Sequence, residues 1–193
     1  MIEPIPVRNN LVLDGEAVYD PNGNYRIENQ QNWEKDLTKM GKRLPTVGEY
    51  IITFNQLMNE QNIPALNKIL EEIYFNMLCA GKINFSKSNF PEVDNRHELP
   101  TNYLDNLVKD PTWRKSLEEE LFHYDAQQAL DIMQRASGRK PYLWLPNIRE
   151  RRERPKKAIW LSFNEDRFNI VCVSGLTGIQ YGAARGIEAS ITN

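Results

Sequence analysis

The sequence predicts an α+β fold, with helices early and an antiparallel sheet late. Three observations carry this expectation. Thr46 and Glu49 stand three apart at the head of an apolar stripe, as in a capped helix. Apolar residues recur at helical spacing from Trp33 to Met133. From Tyr142 onward, short apolar runs alternate with turns, as strands do.

Residues 1–30 read as loop and short strands. Leu11-Val12-Leu13 leads into the turn Asp14-Gly15, and Ala17-Val18-Tyr19 leads into Asp20-Pro21-Asn22-Gly23-Asn24, so a hairpin is expected. Asn32 is the expected cap of a first helix starting near Trp33, with Trp33, Leu37 and Met40 on one face and Gly41 as its stop. Pro45-Thr46 opens a second helix, whose stripe is Tyr50, Ile51, Phe54 and Leu57. Asn62 or Pro64 opens a third, with Leu66, Ile69, Leu70, Ile73, Met77 and Leu78 on one face and Gly81 at its end. Ile83-Asn84-Phe85 reads as a short strand and 86–100 as polar, turn-rich chain. Helices follow from Thr101 to Lys109 and from Pro111 to Ser137, divided at Asp110-Pro111 and closed by Gly138.

The last third turns to β structure. Tyr142 to Leu145 is a strand and Arg149 to Lys157 a charged loop. Ala158 to Phe163 and Arg167 to Val173 make a hairpin about Asn164-Glu165-Asp166, and Gln180 to Ala189 is a final strand.

A chain of 193 residues is long enough to bury a core as one domain, residues 1–193. Its formal net charge of -2 gives no bulk attraction to nucleic acid or membrane. No apolar run is long enough to span a bilayer. Met1-Ile2-Glu3-Pro4-Ile5-Pro6 has neither a basic head nor an apolar stretch, so no signal peptide is expected. The expected location is the cytoplasm, or a particle assembled there. Cys79 and Cys172 stand in apolar surroundings and read as buried free thiols.

Sites for chemistry are few. Asp20-x-Asn22-x-Asn24 imitates the start of a calcium loop, but Tyr25 stands where glycine is needed and Gln31 where the bidentate glutamate belongs. A turn is the better reading, and no metal or cofactor is expected. His97 and His123 lie near no nucleophile motif, and Glu118-Glu119-Glu120 reads as a solvated helix face. No catalytic residue is assigned. The sharpest charge feature is 149–157, with Arg149, Arg151, Arg152, Arg154, Lys156 and Lys157 partly neutralised by Glu150 and Glu153. Tyr142 and Trp144 just before it would suit base stacking, but an exposed loop or a protein partner is preferred over nucleic acid.

Two segments together resemble the C-type lectin-like fold, in the form found in bacterial and phage domains with an Arg-Leu-Pro-Thr-x-x-Glu motif. One is Arg43-Leu44-Pro45-Thr46-Val47-Gly48-Glu49, with an amphipathic helix from Trp33 to Met40 before it. The other runs from Ile159-Trp160-Leu161-Ser162-Phe163 through Asn164-Glu165-Asp166 to Gly182-Ala183-Ala184-Arg185-Gly186. That ending looks like the phage tropism-determinant proteins, the variable proteins of diversity-generating retroelements. The resemblance covers about half the chain, at its two ends, and makes 64–140 a helical insertion.

The resemblance implies a closing antiparallel β-meander and a display surface on its hairpin and loops. By position the ligand residues would be Trp160, Asn164, Asp166, Arg167, Asn169, Ser174, Thr177, Gln180 and Tyr181. Asn, Ser and aromatic side chains suit adaptable recognition, although Trp160 and Tyr181 fit a core equally well. It further implies a protein or cell-surface ligand, phage or prophage origin, a place at the virion surface and a homo-oligomer, commonly a trimer. Thr46 and Glu49 form the cap, and Arg43 and Arg185 read as structural clamps, since a guanidinium can brace several carbonyls at once. The Glu-Pro-Asn or Gln-Pro-Asp and Trp-Asn-Asp motifs of calcium-dependent sugar binders are absent from the sequence, as are the cysteine pair and Arg-Gly-Gly-Ser-Trp of the formylglycine-generating branch. The expected function is therefore non-enzymatic ligand binding. The alternative is an assembly subunit that uses 149–157 to hold a partner protein.

Overall fold

The two ends of the chain meet in one sheet. β1 (Ile5–Val7), β2 (Leu11–Leu13) and β7 (Ile187–Ala189) form an antiparallel sheet in the order β1-β2-β7. Ile5, Val7, Leu13 and Ile187 turn inward and Glu188 outward, as period-two alternation requires. The computed structural model describes residues 3–7, 11–74, 76–91, 103–146, 148–153, 156–164, 166–173 and 182–189. The expected hairpin between 11–13 and 17–19 is not formed, because β2 is filled on both sides by β1 and β7. The turn signal itself holds. Asp20 accepts from the amides of Asn22 and Asn24, and Tyr19 bridges to Tyr25.

α1 (Gln30–Lys39) starts earlier than expected, because Asn29 is the cap and accepts from the Asn32 amide. Trp33 and Leu37 are fully buried, whereas Met40 is exposed. α2 (Val47–Asn59) carries the capping box of Thr46 and Glu49. Its stripe, Tyr50, Ile51, Phe54 and Leu57, is buried. Arg43 clamps this cap rather than several carbonyls. It donates to both Glu49 carboxylate oxygens, at 2.8 and 2.6 Å, and to Leu44 O.

α3 (Ile63–Ile73) is capped by Asn62 and ends eight residues before Gly81. Asn76, at φ 57, turns the chain, and β3 (Met77–Asn84) follows. Met77 and Leu78 are therefore strand residues. A fully buried apolar run shows no period of its own, so the sequence pattern cannot separate it from a helix. Gly81, at φ 94, lies where the β3 register shifts. Because β3 belongs to the main sheet, the region 64–140 is not helical throughout.

α4 (Leu104–Leu107), α5 (Pro111–Ser116), a π turn (Leu117–Phe122) and α6 (Ala126–Ser137) follow. The single helix expected over 111–137 is broken at His123, which is left-handed at φ 50, and Asp125 caps α6 by accepting from the Gln128 amide. Gly138, at φ 66, ends α6 as expected.

β4 (Lys140–Trp144), α7 (Ile148–Glu153), β5 (Lys156–Phe163) and β6 (Arg167–Val173) complete the main sheet, ordered β3-β5-β6-β4. The β5–β6 hairpin is antiparallel as expected, but β4 joins β6 in parallel and β7 leaves for the other sheet. The ending is thus a mixed sheet rather than a continuous meander. Of the expected last strand only Ile187–Ala189 is a strand, and 174–181 lie outside the described residues.

One sheet face, with Leu143, Ile159, Leu161, Phe168, Ile170 and Cys172, joins the main core with residues of α2, α3 and α6. Phe54 meets Phe168 edge-on at 6.3 Å between centroids. The other face holds Leu78 and Trp160, packed with Trp33, Leu37, Leu44 and Ala184.

Candidate ligand surface at the β5–β6 hairpin

Alternation along β6 sends Phe168, Ile170 and Cys172 into the core and Arg167, Asn169 and Val171 to the opposite face. Along β4 it puts Lys140, Tyr142 and Trp144 on that same face. The parallel register sets Lys140 beside Arg167, Tyr142 beside Asn169 and Trp144 beside Val171. Ser162, the β5 partner of Asn169, is half-buried there.

A chain of side-chain bonds ties this face to the hairpin turn. Trp144 Nε1 donates to Asn169 Oδ1 at 2.9 Å, and Asn169 Nδ2 donates to Asn164 Oδ1 at 3.2 Å. These bonds fix the indole and orient the Asn164 amide, while Asn164 and Asp166 remain exposed. Arg167 lies over two rings, with Cζ 5.3 Å from the Tyr103 centroid and 4.9 Å from that of Tyr142. Tyr103 and Tyr142 meet edge-on at 5.0 Å. On the helix side of the same sheet end, Phe163 meets Tyr74 edge-on, and Arg139 covers both rings while donating to the Tyr74 hydroxyl at 2.8 Å. Tyr74 is 55% exposed.

Of the sequence-derived ligand residues, Asn164, Asp166, Arg167 and Asn169 come together here. Asn169 is itself buried and acts by holding Asn164. Trp160 lies in the second core cluster beneath α1, so it faces no ligand. Ser174, Thr177, Gln180 and Tyr181 lie outside the described residues. The sequence reading missed Tyr74, Tyr103, Arg139 and Lys140. The alternation Lys140-Pro141-Tyr142-Leu143-Trp144 was a readable sign that Lys140, Tyr142 and Trp144 share a face. Tyr103 and Tyr74 join only through tertiary contact, which no local pattern reveals.

The basic run 149–157 is not one exposed loop. Arg149, Arg151 and Arg152 lie on α7, and Lys156 and Lys157 on β5. Arg151 turns inward, donating to Pro146 O at 3.0 Å and Phe90 O at 3.1 Å, with its guanidinium 4.5 Å from the Phe85 centroid. Lys157 is fully buried. Both side chains are buried within the chain. Arg149 is exposed and paired with Glu153 at 2.8 Å, Arg152 and Lys156 are exposed, and Arg154 lies outside the described residues.

Arg185 is fully buried and bonds a carboxylate and one carbonyl, rather than several carbonyls, with a carboxylate partner that sequence reasoning missed. Its Nε donates to Glu72 Oε2 at 2.6 Å and its Nη1 to Asp14 O at 2.5 Å. The other Glu72 oxygen accepts from the Ala17 amide at 3.2 Å. Burial pushes the Glu72 carboxyl above its usual value, against the pull of Arg185. Glu71 and Glu72 stand side by side in α3, the first exposed and the second buried, and their adjacency gives no sequence sign of this role. The node joins α3, the end of β2 and the approach to β7. No protein-family model, curated protein or solved structure matches the chain.

Proposed function

We propose that this chain is a non-enzymatic ligand-binding domain of C-type lectin-like architecture and phage or prophage origin. It binds a protein or cell-surface ligand through the end of the β5–β6 hairpin and the segment that follows β6, and it serves as a receptor-binding display protein at a virion surface, as a homo-oligomer. One observation carries the ligand surface. Exposed Asn164 and Asp166 stand beside a half-buried Trp144 and a ring-stacked Arg167, all braced from behind by the packed sheet. Rigid aromatics with adaptable amides form a recognition surface at low entropic cost. The architecture and origin rest on the motif 43–49, the hairpin and the Arg185 segment. The pairing of β2 with β7 supports them, because it closes a frame around the excursion between β3 and β5.

The inward turn of Arg151 and Lys157 removes two of the six cations on which an assembly role for 149–157 relied. Sequencing the 3′ end of the gene across its natural population tests the display role. Substitutions clustered at codons 164–181, with 182–187 constant, are expected. A uniform 3′ end across independent isolates would overturn diversified display.

A further inference from the structure

Three cations crowd the hairpin end: Arg139, Lys140 and Arg167. Lys140 and Arg167 are neighbours in the β4–β6 register, and like charges set side by side across strands repel. All three rest on aromatic rings. Arg139 Cζ lies 4.4 Å from the Phe163 centroid, Lys140 Nζ 5.9 Å from that of Tyr103, and Arg167 Cζ 4.9 Å from that of Tyr142. Among the described residues, the single carboxylate at ion-pair distance from any of them is Asp166, 3.6 Å from Arg167 Nε. A ring quadrupole positions a cation without cancelling its charge. Among the described residues, three cations thus stand against one carboxylate at the hairpin end.

We propose that this end receives an anionic group of the ligand, a carboxylate or phosphate, on Lys140 and Arg167. Arg139 adds charge from the helix side, and Trp144 packs 5.2 Å from the Tyr142 ring that carries Arg167, so its indole reports on the group. Binding relieves the repulsion between the paired cations and replaces their hydration with charge-assisted hydrogen bonds. The proposal rests on the ligand-surface reading above and names the charge of that ligand.

The test is titration of the protein with polyglutamate, inorganic polyphosphate and neutral dextran. The readout is the Trp144 indole 15N–H resonance, assigned with Trp144→Phe. At least one polyanion is expected to shift that resonance, dextran to leave it unmoved, and added salt to weaken the binding. Lys140→Glu and Arg167→Gln should each weaken binding by about tenfold, and Lys115→Glu on α5 by less than about twofold. Lys140 is exposed, so its variant reads out binding and not folding. A response to polyglutamate alone assigns a carboxylate ligand, and one to polyphosphate alone a phosphate ligand. No binding of either polyanion, or an equal loss in Lys115→Glu, overturns the proposal. Suppose the anions fail while Asn164→Ala and Trp144→Ala still abolish capture of cell-surface material. Then the charge assignment alone falls. If the anions bind but those variants leave capture intact, the ligand-surface reading falls instead.

Discussion

Arg185 and Glu72 are both completely buried, so each depends on the other to remain charged. Arg185→Met strands a buried carboxylate and should cost about 3–5 kcal/mol in urea unfolding. The double variant with Glu72→Met should cost less than the sum of the single changes, with a coupling of about 0.5–3 kcal/mol. Gly48 makes a different demand. A Cβ there would lie 1.9 Å from Phe122 O, a backbone atom, so α2 meets the π turn only through glycine. Gly48→Ala should lower stability by about 1–3 kcal/mol, measured the same way. Glu49 supplies a pH signature. Burial pushes its carboxyl up, but the Arg43 guanidinium and the Thr46 amide hold it below its usual 4.5. A lowered folded pKa gives stability that is complete above the unfolded value and is lost as pH falls through the folded one. The Tm of the wild type should therefore drop below about pH 4.5 more steeply than that of Glu49→Gln.

Among the elements, those with local chemical signals were legible and those defined by tertiary burial were not. The capping box fixed the start of α2 to the residue, and Gly138 fixed the end of α6, because each satisfies backbone groups within one turn. The run from Met77 to Cys79 is covered on both faces, so it kept no alternation and was read as helix. The break at His123 left only Asp125, whose capping role follows from the backbone reversal before it. Strand pairing also decides the fate of the thiols. Cys79 pairs with Ile159 and Ile159 with Cys172, which puts the two cysteines two strands apart. At about 4.8 Å per strand that is roughly 10 Å, beyond the reach of a disulfide. Burial pushes the Cys172 thiol up to about 12 and the Cys79 thiol higher still. Thiol titration should find neither reactive in the folded protein and both reactive in denaturant, with no disulfide dimension to recover.

At the scale of the molecule, the described chain builds a three-stranded sheet from its two ends and a four-stranded mixed sheet between them. The terminal sheet, the Arg43–Glu49 cap and the buried Arg185–Glu72 pair hold this arrangement, and no described helix is long and apolar enough to cross a membrane. The mixed α+β class was legible in the sequence because helical periods dominate 30–73 and 104–137, while short strand runs dominate 140–173. The split of the strands into two sheets was not, because β7 pairs with a strand 174 residues earlier, Leu13 with Ile187. The candidate surface was half legible for the same reason. Asn164, Asp166 and Arg167 share one turn, whereas Tyr74, Tyr103 and Lys140 reach it from three other elements. The proposed function requires that end to be the ligand face. The most direct measurement is capture of bacterial cell-envelope fractions by immobilised protein, comparing wild type with Asn164→Ala, Trp144→Ala and, on the outer side of α2, Gln56→Ala. Loss of capture of about tenfold or more in the first two, with Gln56→Ala unchanged, is the predicted result. Equal capture by all four proteins would contradict it.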